Sequence, residues 1–145
     1  MVQNYKEILL KELSARLPYG LKCNVGEEMP YTLSRIEVDN FNGHLLDFIE
    51  TKDGLDMQVY LSEAKPYLFP MSSMTEEQYK KFTIISGWDV DIEDVRRGKF
   101  SCIGYIGLDY LYDAIDWFNK NHFDYRGLIP LGLAIDATGL DIYNR

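Results

Sequence analysis

Three short runs in the first half of the chain constrain its fold more than any other feature. Leu33 to Asp39, Leu45 to Thr51 and Leu55 to Leu61 are rich in aliphatic residues and are separated by Asn40-Phe41-Asn42-Gly43 and Lys52-Asp53-Gly54. Runs of this length bounded by Asn, Asp and Gly read as strands joined by tight turns, which predicts an antiparallel meander. In the third run Met57, Val59 and Leu61 alternate with Asp56, Gln58 and Tyr60. Because successive side chains of a strand point to opposite faces, this pattern sets one face on a core and the other in water. Helices are then needed to cover the buried face.

The flanking sequence supplies them. Asn4 and Glu7 have capping-box spacing, and Tyr5, Leu9, Leu13 and Leu17 recur at helical intervals until Pro18 and Gly20. That predicts an amphipathic first helix, followed by a short extended piece from Leu21 to Val25. Pro66 and Pro70 bracket an aromatic connector, after which Thr75 and Gln78 form a capping box for a helix to about Phe82. Asp91 can cap a short turn through Val95 that Gly98 ends, and Phe100 to Ile106 reads as a further strand. The clearest helix spans about Tyr110 to Asn121: Leu111, Ile115 and Phe118 share a face, and Asp109, Asp113 and Asp116 lie toward the positive N-terminal end. A last apolar run, Leu128 to Ile135, is broken by Pro130 and Gly132, so it is either an edge strand or a packed irregular segment. The expected fold is α+β, a meander sheet packed against two or three helices, chiefly the first and the Tyr110 to Asn121 helix. With 145 residues, one domain over 1–145 is the default.

Composition narrows the function classes. Hydrophobic residues make up 46% and charged residues 26%, too apolar a balance for intrinsic disorder. The first segment carries charges among its leucines, so no signal peptide is read, and no stretch has the roughly 18 uninterrupted apolar residues of a membrane span. Two cysteines, Cys23 and Cys102, are too few for a disulfide scaffold. The expectation is a soluble, cytoplasmic protein with no membrane partner. A net charge of −8 opposes direct binding to nucleic acid, because such binding relies on Lys and Arg displacing counterions.

Chemistry-bearing motifs are sparse. His122 lies in the densest run of reactive side chains, Asn121-His122-Phe123-Asp124-Tyr125-Arg126-Gly127. A His relays protons near neutral pH, an Asp orients its ring and an Arg holds an anion, so His122, Asp124 and Arg126 form a candidate hydrolase centre lacking an identified nucleophile or metal. The competing reading has His122 end the helix by satisfying free carbonyls, Arg126 pair with Asp124, and Tyr125 pack. Cys23, Cys102, His44 and His122 show no zinc spacing, and no metal is expected. Asp89, Asp91, Glu93 and Asp94 alternate as in a calcium loop, but counting from Asp89 the sixth and twelfth places hold Asp94 and Phe100 instead of Gly and Glu. Gly104-Tyr105-Ile106-Gly107 lacks the remaining residues of a phosphate loop or dinucleotide fingerprint, so no cofactor is expected. Ser72 and Ser73 have no nucleophile elbow around them and belong to helix entry.

Eleven tyrosines, two tryptophans and seven phenylalanines are an unusual share for this length, and aromatics concentrate where proteins bind one another. Tyr67, Phe69 and Tyr125 are the candidates for such a surface, with core packing as the alternative. The stretches Pro66 to Glu77 and Asp116 to Ala134 resemble small proteins of gut bacteria and their phages or prophages. That resemblance implies no activity, cofactor or catalytic residue. It implies a setting, in which a small accessory protein binds a host or phage protein, or an acidic inhibitor imitates DNA through carboxylates such as Asp89, Asp91, Glu93 and Asp94. The leading expectation is a non-enzymatic accessory protein acting on an unidentified protein partner, with self-association left open. The alternatives are the His122 hydrolase and the DNA mimic.

Overall fold

The computed structural model describes residues 2–26, 29–39, 43–49, 56–87, 90–98 and 108–143. The fold is α+β, with mostly antiparallel strands. It is built as two compact units: Met1–Leu68 with Leu128–Arg145 form unit 1, and Phe69–Gly127 form unit 2.

Unit 1 opens with helix α1 (Val2–Arg16). The helix already runs through Asn4, so Asn4 cannot be its N-cap as the spacing with Glu7 suggested. Its buried face holds Leu9, Glu12, Leu13 and Arg16, at the i, i+3, i+4, i+7 positions of one helical stripe, while Tyr5 is exposed. Gly20, at φ +68°, turns the chain into strand β1 (Lys22–Asn24). Strands β2 (Tyr31–Asp39), β3 (Gly43–Ile49) and β4 (Asp56–Tyr60) then form the expected meander, β2 pairing β3 and β3 pairing β4, both antiparallel. The two turns between these strands lie outside the described residues apart from Gly43, which pairs with Asp39.

A register shift between Leu33 and Arg35 inserts Ser34 as a bulge in β2. The extra residue changes the strand's phase, so Leu33 and Ile36, three apart, both pack into the core while Ser34, Arg35 and Glu37 are exposed. In β4 the expected alternation holds: Met57 and Val59 are half-buried, Gln58 and Tyr60 exposed, and Leu61 is buried just past the strand.

The aromatic connector between the two prolines is itself strand β5 (Lys65–Pro70), antiparallel to β1. Proline is usually excluded from strands because it has no N–H to donate. Here the Leu21 carbonyl accepts from Leu33 of β2, so polar groups alternate along β1 and those of Cys23 also turn toward β2. Pro66 stands opposite Cys23 and costs β1 no hydrogen bond. Leu128 to Ala134 form packed turns instead of a strand. Only Ile135–Asp136 (β7) pair, in parallel, with Tyr67 and Leu68 of β5. The unit 1 core gathers Leu9, Leu13, Leu21, Cys23, Leu33 and Leu61 with Leu68, Leu128 and Ala134.

Unit 2 holds helices α2 (Glu76–Ser86), α3 (Ile92–Arg96) and α4 (Leu108–Lys120). Strand β6 (Phe123–Asp124) pairs in parallel with Phe69 and Pro70, the last residues of β5. Its core is aromatic: Phe82 stacks on Phe118 at 4.9 Å and meets Trp117 at 5.4 Å, and Trp117 stacks on Phe123 at 5.6 Å. The Tyr110 to Asn121 helix was expected to cover the meander, but α4 packs on α2 within unit 2, where these rings find partners of their own kind. The strand expected over Phe100 to Ile106 lies outside the described residues.

Among the described residues no helix is long and apolar enough to cross a membrane.

Candidate functional site

Helix α2 is defined at both ends by its sequence. Thr75 Oγ1 accepts the Gln78 N–H at 3.1 Å, and Gln78 Oε1 accepts the Thr75 N–H at 2.9 Å, the reciprocal bonds of a capping box. Gly87, at φ +67°, closes the other end by donating its N–H to the Thr83 carbonyl at 3.0 Å. The helix therefore runs one turn beyond the expected Phe82.

Its rotation is set by Phe82 and Ser86, both fully buried, with Tyr79 half-buried behind them and donating its hydroxyl to the Val90 carbonyl. At about 100° per residue, this phase turns Ile84 to the opposite side of the helix and Ile85 to its flank. Ile84 is 82% exposed and Ile85 51%. Lys80, Lys81 and Glu77 on the same helix are also exposed, Lys81 lying 3.7 Å from Glu77. Tyr112 of α4, in the same unit, is 64% exposed. Sequence reasoning passed over Ile84 and Ile85 because it ended the helix at Phe82. The signal was present: once Gly87 is read as the C-terminal cap, the phase of Tyr79, Phe82 and Ser86 places both isoleucines in water.

The candidate catalytic run begins where α4 ends. Asn121 donates its N–H to the Trp117 carbonyl at 3.0 Å, and His122, at φ +61°, donates its own to Asn119 at 3.2 Å. The His122 carbonyl accepts the Phe69 N–H at 2.8 Å. His122 therefore occupies the left-handed position that commonly ends a helix. Its side chain is buried, as is that of Asp124. Arg126 is exposed, its guanidinium carbon 5.7 Å from the centre of the Tyr125 ring, and Tyr125 is half-buried against Phe118 at 5.8 Å. Two members of the proposed centre thus lie inside and the third in solvent.

The aromatic candidates need correction. Tyr67 and Phe69 are each 7% exposed, so their rings fill the interior and present no surface to a partner. The Tyr67 hydroxyl accepts from Asn24 Nδ2 at 3.2 Å, and the Phe69 ring packs against Phe123 at 6.4 Å. Strand geometry explains this: as a connector their stretch would be open to water, but β5 is paired along its length and its burial reaches both faces.

Of the acidic run, Asp89 lies outside the described residues. Asp91 is exposed at the N-cap of α3 but makes no capping hydrogen bond through its side chain. Glu93 is exposed and accepts from Arg96 at 2.9 Å, while Arg96 also donates to the Met74 carbonyl at 2.9 Å; Asp94 is half-buried. One carboxylate of the cluster is thus neutralised by a cation anchored in the same unit. Among the described residues no group of three or more His, Cys, Asp or Glu side chains is placed to hold a metal ion.

Comparison of the chain with protein-family models, curated proteins and solved structures finds no match.

Proposed function

We propose that this chain is a small accessory protein that works by binding another protein, with the outward face of α2 as the contact. The observation that carries this reading is Ile84, a β-branched aliphatic side chain at 82% exposure on a well-capped helix whose buried face is already filled by Phe82 and Ser86. Its neighbour Ile85 widens the apolar surface, and Lys80, Lys81 and Glu77 give it a charged border. An apolar centre with a polar rim is the ordinary anatomy of a protein contact, and it suits an apolar helix or strand face on the partner. The partner belongs to a phage, prophage or host setting on the resemblance of Pro66 to Glu77 and Asp116 to Ala134. The buried His122 and Asp124 and the Glu93 to Arg96 pairing favour neither hydrolysis nor DNA mimicry.

The test compares wild type with Ile84→Asp/Ile85→Lys as baits in lysate of the native cell, at moderate salt and with identification by mass spectrometry. A protein retained stoichiometrically by wild type and lost by the double variant supports the reading. Equal retention by both baits places the contact elsewhere and removes α2 from it. Light scattering of the purified chain separates a foreign partner from a second copy of the same protein.

A further inference from the structure

One hydroxyl in unit 1 stands where a strand pair should close. The β1–β5 ladder matches Asn24 with Lys65 and Cys23 with Pro66, so its next rung is Lys22 with Tyr67. Alternation of the polar groups along β1 makes that rung a hydrogen-bonded one, in which Lys22 N–H would meet the Tyr67 carbonyl directly. Instead the Tyr143 hydroxyl is inserted. It accepts the Lys22 N–H at 2.9 Å and donates to the Tyr67 carbonyl at 2.9 Å, with the Lys22 carbonyl as a second acceptor at 3.3 Å.

The segment that brings Tyr143 there is anchored at its two ends. Ile135–Asp136 pair with β5, and Ala137 donates its N–H to the Leu68 carbonyl at 2.8 Å. Adjacent carbonyls of a strand point to opposite edges, so Leu68 and Tyr67 are engaged on the two edges of β5, and residues 137–143 pass across that strand. Between the anchors, residues 138–141 are exposed and Ile142 is half-buried, and Asp141 adopts φ +52°, in the left-handed region that Asp enters more readily than most residues. A run of exposed residues between two anchors has few buried contacts, which is the mark of a segment that opens before the rest of its unit.

We propose that residues 137–143 are a releasable strap with Tyr143 as its clasp. With the clasp closed, its hydroxyl fills the Lys22–Tyr67 rung. With it open, Lys22 N–H bonds the Tyr67 carbonyl directly, β1 and β5 stay paired, and the buried Cys23, next in the chain after the Lys22 that the phenol bonds, is uncovered. The device has two arrangements of the same backbone groups, each with its hydrogen bonds made.

Alkylation of Cys23, followed by peptide mass so that Cys102 is scored apart, reads the opening, and amide exchange reads the rung. Tyr143→Phe loses the clasp bonds and is expected to speed Cys23 alkylation about tenfold, the effect of one net hydrogen bond, with a shallow dependence on urea. In Tyr143→Ala, Lys22 N–H is expected to remain protected while Ala137 N–H exchanges freely. The proposal is overturned if Cys23 reacts only with the steep urea dependence of global unfolding in wild type and Tyr143→Phe alike. It is also overturned if Lys22 and Ala137 lose protection together, or if Tyr143→Ala does not fold.

Discussion

Arg16 and Glu12 are joined inside unit 1, the Arg16 Nε and Nη2 donating to Glu12 Oε2 at 3.1 and 2.9 Å with both side chains at 1% exposure or less. Removing one charge of a buried pair strands the other, so Glu12→Ala is expected to cost about 3–5 kcal/mol in urea unfolding. Replacing both by aliphatic residues of similar volume is expected to cost far less, because no charge is then left without its counterpart. In unit 2, Phe82→Ala removes the ring that Trp117 and Phe118 pack on and is expected to cost about 3–5 kcal/mol, read by near-ultraviolet circular dichroism. Cys23 and Tyr143 give a pH dependence. Burial raises the pKa of both by disfavouring the charged form, and for Tyr143 the Lys22 backbone bond opposes the rise, the Cys23 charge adds to it and the Arg16 charge opposes it. The folded chain thus keeps protons that the unfolded chain releases near a thiol's usual pH of about 8.5 and a phenol's of about 10. Stability from this source is complete below those values and is lost progressively as pH rises from them toward the raised values of the folded chain, so the urea midpoint should fall above about pH 8.5. A midpoint that stays level there would show that neither group is held protonated.

Helix α2 shows what a capping signal is worth. Thr75→Ala is expected to lower stability by about 1 kcal/mol, since the Gln78 N–H loses its acceptor, and Thr75→Ser is expected to recover most of that loss. The cap, the meander and α4 were legible because each rests on local chemistry: a reciprocal hydrogen bond, tight-turn residues or a helical repeat. What sequence reasoning missed depends on residues far apart in the chain. Nothing local in Lys65 to Pro70 announces a strand, because its partners Cys23 and Ile135 lie tens of residues away on either side and its prolines argue against pairing. The bulge at Ser34 is invisible for the same reason, being defined only against β3. Burial of Glu12 and Arg16 escaped because the helical repeat was read from Tyr5, Leu9, Leu13 and Leu17 alone, whereas here the two charges pair with each other inside the unit. The candidate site was half legible: the helical phase that exposes Ile84 is local, but the ring stack that fixes that phase is not.

At the scale of the whole molecule, the net charge of −8 leaves no general attraction for phosphate backbones. Duplex DNA is expected not to shift in a gel at physiological salt, and a shift there would contradict a reading built on protein contacts. Ile84→Asp/Ile85→Lys is expected to leave thermal stability within about 0.5 kcal/mol of wild type, as surface changes do, so loss of a partner in that variant reports contact and not unfolding. Unit 1 is assembled from two separate stretches of chain, and the Lys22 to Tyr143 bond closes a separation of 121 residues. During synthesis at about 5–20 residues per second, the β1–β4 meander emerges and pairs well before Ile135 and Tyr143 exist, and all of Phe69–Gly127 is made in the interval. The last rung of the β1–β5 ladder is therefore occupied late. A nascent chain halted before Tyr143 carries a sheet in which the Lys22 N–H and the Tyr67 carbonyl lack the hydroxyl that bridges them.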